Sequence, residues 1–367
     1  PWEEVRKFLE RERGIDFFDK RTTVSRYVDE KHPAGWGIRY FDKKNQRGGF
    51  KMTGKSVDII IPSYKPDGRF IGLLKRLLLQ SIKPESIIII NTEESEWEAL
   101  GFGDIISKSE KLSKLCKIKH ITKEEFDHGK SRNLGVSLSK SELFICMTQD
   151  ALPFDKYFIE KLVKPFNKDI KLVYARQLPY KDAGLIEKFT RNYNYPEASY
   201  IKSAADRDKY GIKLYFASNV CAAFDRKCFD ELGGFPEGVI LNEDMIYASK
   251  LIKAGKSICY NAEAKVYHSH EYSGCMQFKR NFDIGASQTD YSEIFSEFKS
   301  EGEGIRLVKE TAAYLVKNQA AYLLPKLFCI SFCKYAGYLA GKRYKKLPLP
   351  VVKLCSSNKA FWKNDKE

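Results

Sequence analysis

The chain reads as an α/β protein: a Rossmann-like, mostly parallel sheet flanked by helices, followed by a helical C-terminal region. Three observations predict this. Short β-branched or apolar runs recur from Val57 onward and alternate with stretches of helical periodicity, the pattern of βαβ units. Several runs end abruptly on polar residues, at Pro62-Ser63-Tyr64, at Asn91 to Glu94 and at Asp150. Beyond residue 286 apolar residues recur at spacings of three and four instead, as in Ile305, Val308, Ala312 and Leu315.

Val57 to Ile61 is the first strand, and Arg69 to Leu79 a helix with Phe70, Leu73, Leu74, Leu77 and Leu78 on one face. Ser86 to Ile90 and Cys116 to Ile121 are the next strands, and His128 to Ser139 a helix. Leu143 to Thr148 is a buried strand that stops on a lone carboxylate, Asp150, and then Pro153. Lys156 to Phe166 is helical and Lys171 to Ala175 is another strand. Ala183 to Tyr193 is a helix, and Leu214 to Phe224 holds strand-like pieces around Ser218-Asn219. Arg226 to Leu232 and Asn242 to Ala254 are helices, each closed by glycine. Extended pieces follow at Ser257 to Tyr260 and Val266 to His270. In an open α/β sheet ligands meet the carboxyl ends of the strands, so the polar strand ends are expected to line one crevice.

Three regions are expected: an appendage over residues 1–55 with no assignable chemistry, a main domain over 56–285, and a helical, basic and aromatic region over 286–367. Pro1 is read as the start of a fragment or processed chain. The 367 residues carry a net charge of +15, which points to an anionic partner such as nucleic acid, an acidic membrane surface or a phosphorylated substrate. Nine dispersed cysteines without metal-type spacing fit buried thiols in a reducing compartment. No apolar run is long enough to span a bilayer. Ala320 to Gly341 is apolar and aromatic, interrupted by Lys326 and Lys334 and followed by Lys342-Arg-Tyr-Lys-Lys346. That composition suits a helix lying in a membrane interface, the alternative being a helix packed on the main domain.

Several residues are candidates for chemistry. Asp150 stands where a metal or polar ligand would be met, although an Asp there also caps turns and helices. Ser63 and Tyr64 offer a hydroxyl-bearing turn, and Glu93 a carboxylate able to grip a base or ribose. His128-Gly-Lys-Ser-Arg-Asn133 opens a helix, a place that suits a diphosphate or simply solvated charges. Glu243 and Asp244 begin a helix, where carboxylates are favoured by the dipole alone. His268 and His270 flank Ser269 on an extended segment, so their rings point the same way. An Asp150 oxygen with a histidine nitrogen would make a mixed O/N site for a divalent ion, Mn²⁺ or Mg²⁺, with positions left open for phosphate oxygens.

With these pieces in order, the chain from about Val57 to Trp362 resembles the family 2 glycosyltransferases of GT-A fold, in their bacterial rhamnosyltransferase-like branch. The resemblance rests on Ile61-Pro-Ser-Tyr64, Phe126 to Asn133, Thr148-Gln-Asp-Ala-Leu-Pro153, Tyr174 to Pro179, Asn242-Glu-Asp-Met245, His268-Ser-His-Glu-Tyr272, Lys279 to Gly285 and Lys334 to Pro348. It implies a donor pocket lined by Pro62, Ser63, Tyr64, Glu93, Arg132, Gln149 and Asp150. It implies Asp244 as the catalytic base with Glu243 beside it, and a metal held by Asp150, His268 and His270. Asp150 matches the second Asp of the family's Asp-x-Asp motif, and Thr148 stands in place of the first. The implied reaction is an inverting transfer from a nucleoside-diphosphate sugar, dTDP-rhamnose or a UDP-sugar, to a saccharide acceptor carried on polyprenyl diphosphate. The implied place is the cytoplasmic face of the inner membrane, in surface polysaccharide synthesis.

Two other classes fit less well. A sugar-nucleotide pyrophosphorylase would carry a Gly-rich phosphate loop after the first strand, and Pro62-Ser-Tyr-Lys-Pro66 is not one. A basic nucleic-acid binder would not need Asp150, Asp244 and His268 at strand and helix ends, so no nucleic acid is expected as partner.

Overall fold

The computed structural model describes residues 54–298 and 301–362, so nearly all of the expected appendage lies outside the described residues. Among the described residues, nine strands form one sheet: β1 (Val57–Tyr64), β2 (Ser86–Thr92), β3 (Cys116–Ile121), β4 (Leu143–Met147), β5 (Leu152–Pro153), β6 (Ile170–Leu178), β7 (Tyr200–Lys202), β8 (Cys221–Asp225) and β9 (Ser257–Tyr267). Their order is β3-β2-β1-β4-β8-β6-β9-β5, with β7 paired to β9.

The expected parallel arrangement holds for β3, β2, β1 and β4. β8 then enters antiparallel between β4 and β6, so the sheet is mixed. Because β8 reverses direction against both neighbours, β6 runs the same way as β4, and β9 lies parallel to β6. The carboxyl ends of β1, β4, β6 and β9 therefore open on one edge. The strand order reverses between β1 and β4, which is where an α/β sheet leaves a crevice.

Neighbouring residues of each central strand face opposite layers. Ile59, Ile61, Ile87, Ile89 and Ile145 belong to one apolar cluster, and Ile60, Ile88, Phe144 and Cys146 to the other. Both faces are covered, which explains why these strands read as continuous apolar runs. Helix α1 (Gly68–Leu78) buries Phe70, Leu73, Leu74 and Leu77 against the first cluster. On the second side lie α2 (His128–Leu138) and, past a helix Leu185–Asn194 (α3), α4 (Glu243–Lys253). Asp58, inside β1, is itself buried. Its carboxylate accepts hydrogen bonds from Ser86 and Ser139 Oγ and from the backbone N–H of Lys140 and Ser141. Burial alone would raise its pKa, but these donors outweigh it and hold the group below its ordinary value.

The extended piece expected at Ser257 to Tyr260 continues through to Tyr267 as one strand, β9, while His268 to His270, expected in a second extended piece, lie just beyond its end. The register against β6 slips between Ala175 and Arg176, where Asn261 and Lys265 are the successive partners. The extra residues bulge out, and this irregularity hid the continuity. The helical C-terminal region is present as α5 (Gly274–Asp290), α6 (Glu301–Lys317) and α7 (Leu324–Gly341). α5 runs through the boundary expected at 285/286. It packs on α7 at very close range: a Cβ on Gly337 would fall 2.1 Å from the Phe278 carbonyl oxygen, and one on Gly341 2.0 Å from that of Phe282. Only glycine permits this approach.

Candidate functional site

Strand pairing explains why Asp150 and the two histidines meet. The chain leaves β4, turns at Asp150, and at once pairs β5 with the end of β9, Leu152 opposite Tyr267. That register sets Asp150 beside His268, the residue after Tyr267. Asp150 Oδ2 lies 2.9 Å from His270 Nε2 and 3.8 Å from His268 Nε2, and the two Nε2 atoms are 3.1 Å apart. As the alternation of an extended segment requires, Ser269 faces the other way and accepts the Tyr180 N–H. Adjacent ligand atoms of an octahedral site lie about 3 Å apart when bonds are about 2.1 Å, so two of the three edges match such a face and the third, between Asp150 and His268, is longer. The donors, a carboxylate oxygen and two imidazole nitrogens, make a mixed O/N set that could hold a divalent ion.

Electrostatics support the same set. Burial disfavours the Asp150 charge, yet the His270 hydrogen bond and the two imidazoles hold its pKa well below the usual carboxylate range. Burial pushes His268 down to about 3, so its ring is neutral and can offer a lone pair.

Asp244 is carried on the first turn of α4 and is only partly covered. Its carboxylate accepts the backbone N–H of Asn219 at 3.1 Å and that of Met245 at 2.8 Å. Burial and the adjacent Glu243 charge raise its pKa to about 7, the range in which a carboxylate serves as a proton acceptor at neutral pH. Glu243 has a different environment. It is buried, 3.1 Å from Arg132 Nη1, and accepts from Asn219 Nδ2 at 3.0 Å. Burial opposes its charge, but Arg132, His128 and Asn219 keep its pKa below its ordinary value. The two neighbouring carboxylates are thus driven apart, one to stay ionised and one to exchange a proton.

Asp150 and Asp244 are linked by close polar contacts through His270, His268, Gln177 and Ser218, completed by the covalent step from Ser218 to Asn219. His268 Nδ1 meets Gln177 Oε1 at 3.0 Å, Gln177 Nε2 donates to Ser218 Oγ at 2.9 Å, and the next residue, Asn219, holds Asp244. Asp150, His268 and His270 are thus brought together directly, while Asp244 connects to them only through these intermediate residues.

Other residues expected at the donor pocket are placed as follows. Ser63 Oγ and the Tyr64 N–H both donate to Gln149 Oε1, and Gln149 Nε2 donates back to the Tyr64 carbonyl. Gln149 thus clips the end of β1 to the loop after β4 and spends its amide doing so. Pro62 precedes this clip inside β1. The exposed Tyr64 ring has the Lys65 and Lys123 ammonium groups 5.6 and 5.8 Å from its centroid, a cationic edge to the crevice. Glu93, in a left-handed conformation at φ 66°, accepts the Lys123 N–H at 2.8 Å and lies 3.6 Å from its ammonium. Arg132, expected near the donor, is buried, with Nη1 3.1 Å from Glu243 Oε1. The start of α2, read as suiting either a diphosphate or solvated charges, is capped by Asp127, which accepts the Lys130 N–H at 2.7 Å and that of Val239 at 3.2 Å. Gln177 and Asn219 received no role from the sequence. Both stand in motifs that were noticed, but an uncharged amide carries no signal of what it will join.

Among the described residues no helix is long and apolar enough to cross a membrane. α7 nevertheless presents an apolar stripe to solvent at helical spacing: Phe328, Phe332 and Tyr335 are 55, 71 and 55% exposed, with Tyr322 just before it at 76%. Lys326 lies at one end of the stripe and the Lys342–Lys346 cluster at the other.

A model of the family described as "Glycosyl transferase family 2" matches residues 58–233. Over 311 residues the chain is 37% identical to O-antigen chain rhamnosyltransferase RfbN of Salmonella typhimurium, covering 84% of this chain and 96% of that protein. It is 35% identical over 313 residues to O-antigen chain rhamnosyltransferase WbaN of Salmonella anatum, covering 84% and 96%. The fold also matches the mannosyltransferase PcManGT from Pyrobaculum calidifontis, solved with GDP-Man and Mn²⁺. That match has a TM-score of 0.54 at 13% identity, and covers 79% of this chain and 88% of the other.

Proposed function

Since the chain belongs to glycosyl transferase family 2, in its bacterial rhamnosyltransferase-like branch, we propose that it transfers rhamnose from dTDP-rhamnose to a hydroxyl of a growing O-antigen saccharide, with inversion. The observation that carries this reading is the cluster of Asp150, His268 and His270 together with Asp244, a carboxylate whose pKa is raised to about 7.

The chemistry follows from the two carboxylate environments. Asp244 accepts the proton of the acceptor hydroxyl as that oxygen bonds to the anomeric carbon. The bond from that carbon to the diphosphate oxygen breaks, and its electron pair leaves with the nucleoside diphosphate. A single in-line displacement inverts the centre. The leaving group is already stable as an anion, so no carboxylic acid is needed to protonate it, unlike in glycoside hydrolysis. Asp150, His268 and His270 would hold Mn²⁺ or Mg²⁺, which when bound supplies positive charge beside the departing diphosphate. Arg132 acts at one remove: it keeps Glu243 ionised, and the Glu243 charge in turn makes Asp244 basic. Ser63, Tyr64, Glu93 and the Gln149 clip form the crevice wall for the nucleoside, with UDP-sugars as the alternative donors.

The acceptor is carried on a lipid diphosphate at the cytoplasmic face of the inner membrane. The exposed aromatic stripe of α7 and its flanking basic residues support this, because they match the apolar and anionic layers of that surface. The test is to incubate the protein with dTDP-rhamnose or UDP-hexoses, Mn²⁺ and lipid-linked acceptor, and to follow nucleoside diphosphate and glycosylated lipid. Transfer from dTDP-rhamnose with inverted anomeric configuration is expected. Absence of transfer from every donor would reject the reading.

A further inference from the structure

Gln177 is buried on β6 beside His268, and every polar position of its amide is occupied. Its oxygen is approached by two groups, Arg191 Nη1 at 2.6 Å and His268 Nδ1 at 3.0 Å. Its nitrogen donates to Tyr195 OH at 2.7 Å and to Ser218 Oγ at 2.9 Å. A guanidinium can only donate, so the oxygen of the amide must face Arg191. Once it does, His268 Nδ1 must carry the hydrogen. The remaining nitrogen, Nε2, is left with its lone pair on the Asp150–His270 side. Arg191 is itself fixed by Glu187 on the same helix, at 2.6 Å.

We propose that Arg191 and Gln177 are a positioning pair that locks His268 in its Nδ1–H tautomer and so presents a metal-ready Nε2 to the face it shares with Asp150 and His270. The other end of the same amide steadies Ser218, next to the Asn219 that holds Asp244, so one side chain sets the geometry of both halves of the site. The metal role of this face rests on the functional reading above; the tautomer does not.

The test uses the full chain with histidine rings labelled in nitrogen-15, with the His268 signals assigned by a His268→Gln variant. In the wild-type protein without metal, Nδ1 of His268 should be protonated and Nε2 unprotonated. Gln177→Glu keeps an acceptor facing Arg191 and His268, while Tyr195 and Ser218 can turn their hydroxyls toward it; the same tautomer should persist. Gln177→Met removes the acceptor at similar size, and the single tautomer should be lost. Mn²⁺ affinity, read by electron paramagnetic resonance, should be kept in Gln177→Glu. In Gln177→Met it should fall by about 10- to 100-fold, the usual cost of losing such a supporting bond. An unchanged tautomer in Gln177→Met, or a wild-type His268 protonated on Nε2, would overturn the proposal. A wild-type protein with the expected tautomer but no Mn²⁺ binding would leave the positioning pair standing and remove the metal reading instead. If Gln177→Met does not fold, the wild-type and Gln177→Glu spectra decide.

Discussion

Asn219 holds both carboxylates of the Glu243-Asp244 pair: its backbone N–H donates to Asp244 Oδ2 at 3.1 Å and its side-chain Nδ2 to Glu243 Oε1 at 3.0 Å. One residue thus fixes the proposed base and the neighbouring charge that raises its pKa.

Asp244→Asn should fold and bind Mn²⁺ like the wild type, yet lose transfer by about 10²- to 10⁴-fold, the usual contribution of a general base. With the Asp244 pKa raised to about 7, wild-type kcat/KM should fall by about tenfold per pH unit on the acid side of that value. Stability should move the opposite way. The folded-state pKa lies above the unfolded one, so folding binds the proton; the stabilisation is full at low pH and is lost as pH rises through 7. Asp244→Asn removes that loss. Its melting temperature should exceed that of the wild type at pH 8 and converge with it toward pH 5. A kcat/KM profile flat from pH 5 to 8 would reject Asp244 as the base.

Arg132 and Glu243 form a buried pair 3.1 Å apart. Arg132→Met leaves the Glu243 carboxylate buried without its partner and should cost about 3–5 kcal/mol in denaturant unfolding. Arg132→Met combined with Glu243→Met should recover most of that loss, because two apolar residues replace the pair. In the double variant Asp244 also loses its repelling neighbour, so its pKa should fall and the acid limb of the rate profile should shift to lower pH.

Gly337→Ala tests the close crossing of α5 and α7. The added methyl would meet the Phe278 carbonyl oxygen at 2.1 Å, so the helices must separate. A loss of about 1–3 kcal/mol is expected from such overpacking. Gly302→Ala, where a Cβ meets nothing, should leave stability unchanged or raise it slightly.

Phe328→Ser with Phe332→Ser should lower association with vesicles of anionic phospholipid by tenfold or more without changing the melting temperature, since both rings face solvent. Raising salt should weaken binding of the wild type as well, through screening of the Lys342–Lys346 cluster. Equal vesicle binding by the variant would make α7 a packing element alone.

Much of this architecture was legible because it rests on period and on punctuation. The buried runs at Val57, Ser86 and Leu143 announce strands covered on both faces. The His268–Ser269–His270 alternation announces two rings on one side. What stayed hidden depends on long-range pairing. Nothing in Leu152-Pro153 signals that it will pair with Tyr267, yet this bridge sets Asp150 against His268. The reversal at β8 is equally silent locally, because an antiparallel central strand is as apolar as a parallel one. The pairing of Arg132 with Glu243, residues more than a hundred positions apart, is equally invisible in the sequence.

The central claim is that Asp150, His268 and His270 share one divalent cation next to Asp244. Anomalous diffraction from a crystal of the full chain soaked in Mn²⁺ and dTDP tests it most directly. A single manganese peak within bonding distance of Asp150 Oδ2, His268 Nε2 and His270 Nε2 is the predicted result. A peak on other ligands, or none at saturating Mn²⁺ with dTDP bound, would contradict it.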